Sequence, residues 1–109
     1  MKSPLNNEAA ELIVRRFLAL SDPMRLRIVD LLRARGEASV RELTEALGSS
    51  QQNVSRHLAT LHAEGFVSRR KQGTSSIYAI SDPSVFELCE RVCGGIEAQL
   101  EQVGAALRA

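Results

Sequence analysis

The sequence predicts a mainly α fold with one small β-hairpin, and three observations carry that expectation. Five segments place apolar residues at helical spacing, each set off by Ser, Asp, Pro or Gly. Only two short segments, 66–71 and 76–80, look strand-like. Ala, Leu, Glu and Arg dominate the composition, which favours helix. The 109 residues suit a single domain, 1–109, with a modest core. Aromatic residues make up only 4% and Trp is absent, so that core must be aliphatic.

The first helix, 8–20, lines up Leu12, Ile13, Phe17 and Leu20. Ser21-Asp22-Pro23 ends it and starts a second, 23–34: Asp22 is a suitable N-cap, and Pro23 takes the first helical position, where its missing N–H costs nothing. Leu26, Ile28, Val29, Leu31 and Leu32 give this helix an apolar face, and Gly36 follows its end. Ser39 caps a short third helix, with Glu42 completing a capping box; Leu43, Ala46 and Leu47 are expected to face inward, and Gly48 closes it. Ser50 caps a fourth helix, 51–64, with Val54, Leu58 and Leu61 on the buried side and Gly65 suited to a left-handed C-terminal residue. Strand 66–71, a Gln72–Ser75 turn and strand 76–80 form the hairpin. Asp82-Pro83 repeats the cap-plus-proline device ahead of a long helix, 83–107. The order is therefore α-α-α-α-β-β-α. Two helices joined by a Gly-containing turn (40–64), followed at once by a hairpin (66–80), make a winged helix-turn-helix.

This architecture gives meaning to an unusual stretch of the fourth helix. Its first turns read Ser50, Gln51, Gln52, Asn53, Ser55, Arg56, with no Glu or Lys among them. In a helix-turn-helix the second helix enters the major groove and its N-terminal residues meet base edges. Gln and Asn pair bidentately with adenine, Arg with guanine, and Ser with either. The helix N-terminus also suits a phosphate. Arg69, Arg70 and Lys71 climb to a hairpin tip at Gly73, placed to reach the DNA backbone or a narrow minor groove. Net charge is only +1, but residues 49–76 hold four cations against one acid, whereas the rest holds ten cations against twelve acids. Positive charge is thus concentrated in the predicted reading segment. A solvated polar surface explains either feature alone; both together, in this order, point to double-stranded DNA. The alternative from another class is a protein-interaction winged helix whose basic hairpin meets an acidic partner, for which the amide-rich helix start has no use. An enzyme has no support: there is no nucleophile–His–acid arrangement and no phosphate loop.

In the last helix Val85, Leu88, Cys89, Val92, Ile96, Leu100, Val103 and Leu107 recur at 3–4 spacing. A small domain cannot cover so long a stripe, so a second copy of the chain is expected there; the alternative is that the helix folds back on its own domain. No apolar run approaches the ~20 residues that span a bilayer, and the N-terminus lacks the apolar core of a signal peptide. A cytoplasmic protein is expected, in which two cysteines four apart are free thiols or metal ligands rather than a structural disulfide.

The segments LALSDPMRLRIVDLL (18–32), SVRELTEALGSSQQNVSRHLATLHAEGFVSRRKQG (39–73) and YAISDP (78–83) together resemble the ArsR–SmtB family of metal- and stress-responsive repressors. The resemblance implies a homodimer joined through the first and last helices, with Leu12, Phe17, Val85, Leu88, Cys89, Val92, Ile96, Leu100 and Val103 in the interface. It implies binding to a two-fold operator and release by an inducer. By position, Ser50, Gln51, Gln52, Ser55 and Arg56 match the family's recognition helix, and Arg69 to Thr74 its wing. Two of the family's metal sites lack their ligands. The third-helix segment SVRELTEAL has no cysteine, and in the last helix Ser84 stands where a His is needed, with no His after His62. A zinc- or nickel-type site on that helix is not expected. Cys89 and Cys93 remain, on one helical face. Three readings stay open for them: interface packing, since free Cys behaves as a small hydrophobe; part of a site for arsenite, cadmium or a similar thiophilic ion, with a third ligand from elsewhere; or redox or sulfur sensing, with Gly94-Gly95 loosening the helix. His57 and His62 are expected to face the groove or the surface rather than a metal.

Overall fold

The computed structural model describes residues 5–108; the ends of the predicted domain range, and with them part of the N-terminal segment read above, lie outside the described residues. Five helices and three strands follow in order: α1 Asn7–Leu20, α2 Pro23–Arg35, β1 Glu37–Ser39, α3 Val40–Leu47, α4 Gln51–Ala63, β2 Val67–Gln72, β3 Ser75–Ile80 and α5 Ser84–Arg108. The expected caps are in place. Asp22 accepts from the amides of Met24 and Arg25, and Pro23 opens α2. Ser39 and Glu42 form the reciprocal capping box of α3, and the Ser50 hydroxyl accepts from the Asn53 amide. Asn6 caps α1 in the same way, accepting from the Ala9 amide. Gly48 adopts φ 64°, a left-handed conformation that carries the chain from α3 into α4. The hairpin closes over Gly73-Thr74, where Gly73 has φ 63° and Thr74 an ordinary negative φ, as a two-residue turn of the Gly-X kind requires.

The sequence reading missed β1. Three residues, Glu37–Ser39, pair antiparallel with β3, and the sheet order is β1-β3-β2. So short a segment, ending on the N-cap of α3, has no periodicity to announce it. Its pairing does position the hairpin: Ala38 opposite Tyr78 anchors the base of the wing beside α3.

The core is aliphatic, as the composition demands. Ile28 and Leu32 of α2, Leu43 of α3, and Val54, Leu58 and Leu61 of α4 are fully buried together. Phe66, Val67 and Tyr78 close it from the wing side. Two residues depart from the expected pattern. Ala46 is exposed, because Leu43 and Leu47 already fill the inner face of the two-turn α3, and Leu26 is also exposed. In α5, Val85 is 1% exposed within a single chain and belongs to the subunit's own core, not to an interface. Leu88 and Cys89 pack partly against that core. Beyond them α5 leaves the domain and runs unbroken through Gly94-Gly95, exposing Val92, Ile96, Leu100 and Val103. Leu12 and Phe17 of α1 are likewise more than half exposed. Among the described residues, no helix is long and apolar enough to cross a membrane.

Candidate nucleic-acid interface

The N-terminal turns of α4 and the inner face of the wing enclose one open groove of about 560 Å³. Gln51, Ser55 and Ala59 line it from α4, Arg69 and Tyr78 from the sheet, Thr74 to Ser76 from the hairpin turn and start of β3. The acid-free helix edge and the wing thus face the same space, with Val54, Leu58 and Leu61 turned away into the core.

Hydrogen bonds divide the residues at the start of α4 into two groups. Ser50 and Asn53 are engaged within the protein: the Ser50 hydroxyl holds the Asn53 amide (3.1 Å), and the Asn53 side-chain nitrogen donates to the Ser49 hydroxyl (3.0 Å). The Asn53 side-chain oxygen accepts from Arg56 Nη2 at 2.7 Å, which fixes the guanidinium over the exposed edge. Gln51, Gln52 and Arg56 are exposed and Ser55 half-buried, so these side chains remain available to base edges. Asn53, expected among the base-reading residues, holds Arg56 through its side-chain oxygen in this structure.

The wing cations separate by strand alternation. Arg69 sits opposite Tyr78 and lines the groove, and Lys71, two residues on, shares that face. Arg70 points the other way. It reaches across β3 to Glu37 of β1 (2.8 Å) and to Gln72 (3.0 Å). The three consecutive cations expected to act together are thus two that face the groove and one tied to the back of the sheet.

His62 lines the groove, one of the two placements expected for it, and Arg41 lines it without having been expected there. Arg41 had a signal. It stands in the first turn of α3, where the helix dipole favours acids, so a cation there needs another reason. Arg41 makes only a long 3.6 Å ion pair with Glu45, and both side chains are well exposed. Glu64, the one acid of the basic segment, is drawn to the back of the domain by Arg15 (3.0 Å). His57 is not on the groove at all. It is 5% exposed on the inner side of α4, with Nδ1 3.0 Å from Arg25 Nη1. Burial, above all, lowers its affinity for a proton.

The two cysteines are both free thiols. Cys89 is half-buried at the edge of the core, and burial pushes its pKa up. Cys93 is exposed, with its thiol 3.6 Å from a Glu97 carboxylate oxygen, and that hydrogen bond and negative charge push its pKa up as well. Neither is an activated thiolate in the single chain. Among the described residues, no group of three His, Cys, Asp or Glu side chains is gathered as a metal site.

Known proteins share this construction. The family described as "Bacterial regulatory protein, arsR family" matches residues 22–69, the α2-to-wing segment. A probable mercury resistance operon repressor of Streptomyces lividans is 42% identical over 72 residues, covering 66% of this chain and 57% of that protein. An uncharacterized HTH-type transcriptional regulator of Methanocaldococcus jannaschii is 38% identical over 76 residues, covering 70% of this chain and 85% of that one. Among solved structures, the homodimeric winged helix-turn-helix DNA-binding domain of a Mycobacterium bovis protein superposes with a TM-score of 0.75 at 32% identity, over 94% of this chain and 95% of that one. An antimony-specific transcriptional repressor superposes with a TM-score of 0.79 at 27% identity, over 92% and 90%. With its groove-facing polar helix, basic wing and these relatives, the chain belongs to the arsR family of bacterial regulatory proteins, which are winged-helix DNA-binding regulators.

Proposed function

We propose that the chain works in the cytoplasm as a dimeric repressor that reads a two-fold operator and leaves it when an inducer binds. The observation that carries the reading is the shared groove, with Gln51 and Ser55 on one wall and Arg69 and Thr74 on the other, and the exposed Gln52 and Arg56 beside it on the same helix start. Base readout falls to the helix edge, backbone binding to Arg69, Lys71, Gly73 and Thr74. Dimerisation is supported by the uncovered apolar stripes: Leu12 and Phe17 of α1, and Val92, Ile96, Leu100 and Val103 of α5. The Mycobacterium bovis domain of like fold is homodimeric. Two reading helices held by that interface would meet half-sites about 34 Å apart.

For the inducer we propose a thiophilic ion such as arsenite or cadmium at Cys89 and Cys93, with a further ligand supplied by the second subunit. The mercury- and antimony-named relatives support that chemistry. A second reading has its own support: Cys89 packs against the core and both thiols are hard to ionise, as side chains that only fill an interface would be.

The test begins with duplexes enriched by the protein from a random-sequence pool. A recurring two-fold sequence, bound far more tightly than a scrambled duplex and weakened selectively by Arg56→Ala, is expected. No enrichment, or an acidic protein partner captured through the wing instead, would remove the repressor reading. Arsenite, cadmium, zinc and polysulfide are then titrated onto the reduced complex. Release that survives Cys89→Ser/Cys93→Ser would eliminate both thiol-based inducers.

A further inference from the structure

Apart from the phenol of Tyr78, His57 is the only buried ionisable side chain among the described residues, and it lies on the back of the reading helix. Its partner, Arg25 of α2, serves three acceptors at once. Nη1 meets His57 Nδ1 at 3.0 Å, Nε donates to the Ala19 carbonyl at 2.6 Å, and Nη2 donates to the Leu18 carbonyl at 3.1 Å. Leu18 and Ala19 stand in the last turn of α1, where carbonyls lack the usual helical partner; the Leu18 oxygen also accepts from the Ser21 amide of the C-cap. A single planar guanidinium therefore ties the end of α1 to the middle of α4.

The chemistry fixes the protonation state of the joint. A guanidinium only donates, so His57 Nδ1 must accept and the ring proton resides on Nε2. Nε2 faces Asp22, whose nearer oxygen is 3.9 Å away and is already held by the amides of Met24 and Arg25. A second proton would go to Nδ1 and set donor against donor and cation against cation. Three charged groups act on the ring: Asp22 from the start of α2 favours that proton, while Arg25 of α2 and Arg56 of α4 oppose it.

We propose that Arg25 and neutral His57 are positioning residues for operator recognition, forming the joint that holds the reading helix in register with α1. The inference rests on the repressor reading above. If α1 belongs to the dimer interface, the joint transmits the position of that interface to the helix edge that meets the bases. Protonating His57 opens the joint without unfolding the domain. The reading helix then loses its set angle, and discrimination between sequences falls while backbone attraction persists.

The readout is the ratio of affinities for the enriched duplex and a scrambled duplex of equal composition, followed by fluorescence anisotropy from pH 8 to pH 5. The ratio cancels any change in backbone attraction that is common to both duplexes. The wild-type ratio is expected to fall about tenfold across the His57 titration, the order expected for a hydrogen bond to a charged group. His57→Gln keeps an acceptor for Arg25 and does not titrate, so it should retain the ratio of pH 8 and show no fall. Arg25→Lys, which cannot hold three acceptors in one plane, should lower the ratio at every pH. Thermal unfolding at each pH confirms that the variants compared are folded. The ring ¹⁵N shifts of His57 at pH 8 should show Nδ1 bare. Identical pH courses for wild type and His57→Gln, or a protonated Nδ1 at pH 8, overturn the joint alone. Equal affinity for both duplexes at pH 8 overturns the repressor reading with it.

Discussion

The split among the wing cations can be measured by replacing them one at a time. Arg69→Ala and Lys71→Ala each remove a cation from the groove face, whereas Arg70→Ala removes one that is tied to Glu37 on the opposite face. Each phosphate left without its cation should flatten the plot of log affinity against log salt by about 0.9. Over a fourfold rise in salt, from about 50 to about 200 mM, that is about a 3.5-fold difference in how far binding falls. Arg70→Ala should leave the slope unchanged. Its effect should appear in stability, and there it should be small. The Arg70 and Glu37 side chains are 50% and 56% exposed, so solvent screens the pair and its removal costs at most about 1 kcal/mol. Anisotropy with a random-sequence duplex at several salt concentrations gives the slopes, and urea unfolding gives the stability. If Arg70→Ala flattens the slope as much as Lys71→Ala, the alternation argument fails and the wing meets DNA through both faces.

Three further outcomes are expected. Ser39→Ala removes the acceptor for the Glu42 amide and breaks the capping box of α3, so urea unfolding should show a destabilisation of about 1 kcal/mol. Asp82 is held below the ordinary carboxylate range by hydrogen bonds from Ser84 and by Arg16 at 2.6 Å. Its lowered pKa means that its stabilisation is fully present above the ordinary value and fades as pH falls through the folded one. Thermal midpoints of Asp82→Asn should therefore be lower than wild type at pH 7 and converge on it in acid; a constant gap would contradict the assignment. Glu97→Gln removes the charge that raises the Cys93 pKa, so Cys93 should be alkylated faster at neutral pH, while a rate equal to wild type would mean the 3.6 Å approach has no effect on the thiol.

Several features could be read without coordinates because their causes are local. Asp22, Ser39 and Ser50 cap helices through hydrogen bonds spanning two or three residues, so the letters alone disclose them. The amide-rich edge Gln51 to Arg56 was visible because helix geometry fixes which residues share a face. What escaped depended on distant pairing. β1 exists because Ser39, Ala38 and Glu37 meet β3, some forty residues later in the chain. The pairing of Arg70 with Glu37 likewise exists only because that third strand brings Glu37 across to it. Val85 read as part of an interface stripe, yet the start of α5 dips into the core before the helix departs.

His57 is the sharpest case. It stands at the 3–4 spacing of Val54, Leu58 and Leu61, so helix periodicity alone puts it on the buried face; its polar side chain hid that signal, and its partner Arg25 has no local mark at all. The sequence by itself determined the helices to within a residue at their ends, the aliphatic core and the polar edge at the start of α4, since propensity, capping and periodicity act within a few residues. Only the tertiary structure decided which cations face the groove, which carboxylate neutralises Arg70, and that Arg25 joins His57 to the end of α1. Arg25 and His57 are 32 positions apart, and Arg70 and Glu37 are 33 apart. Long side chains choose such partners only after the backbone has brought them within reach.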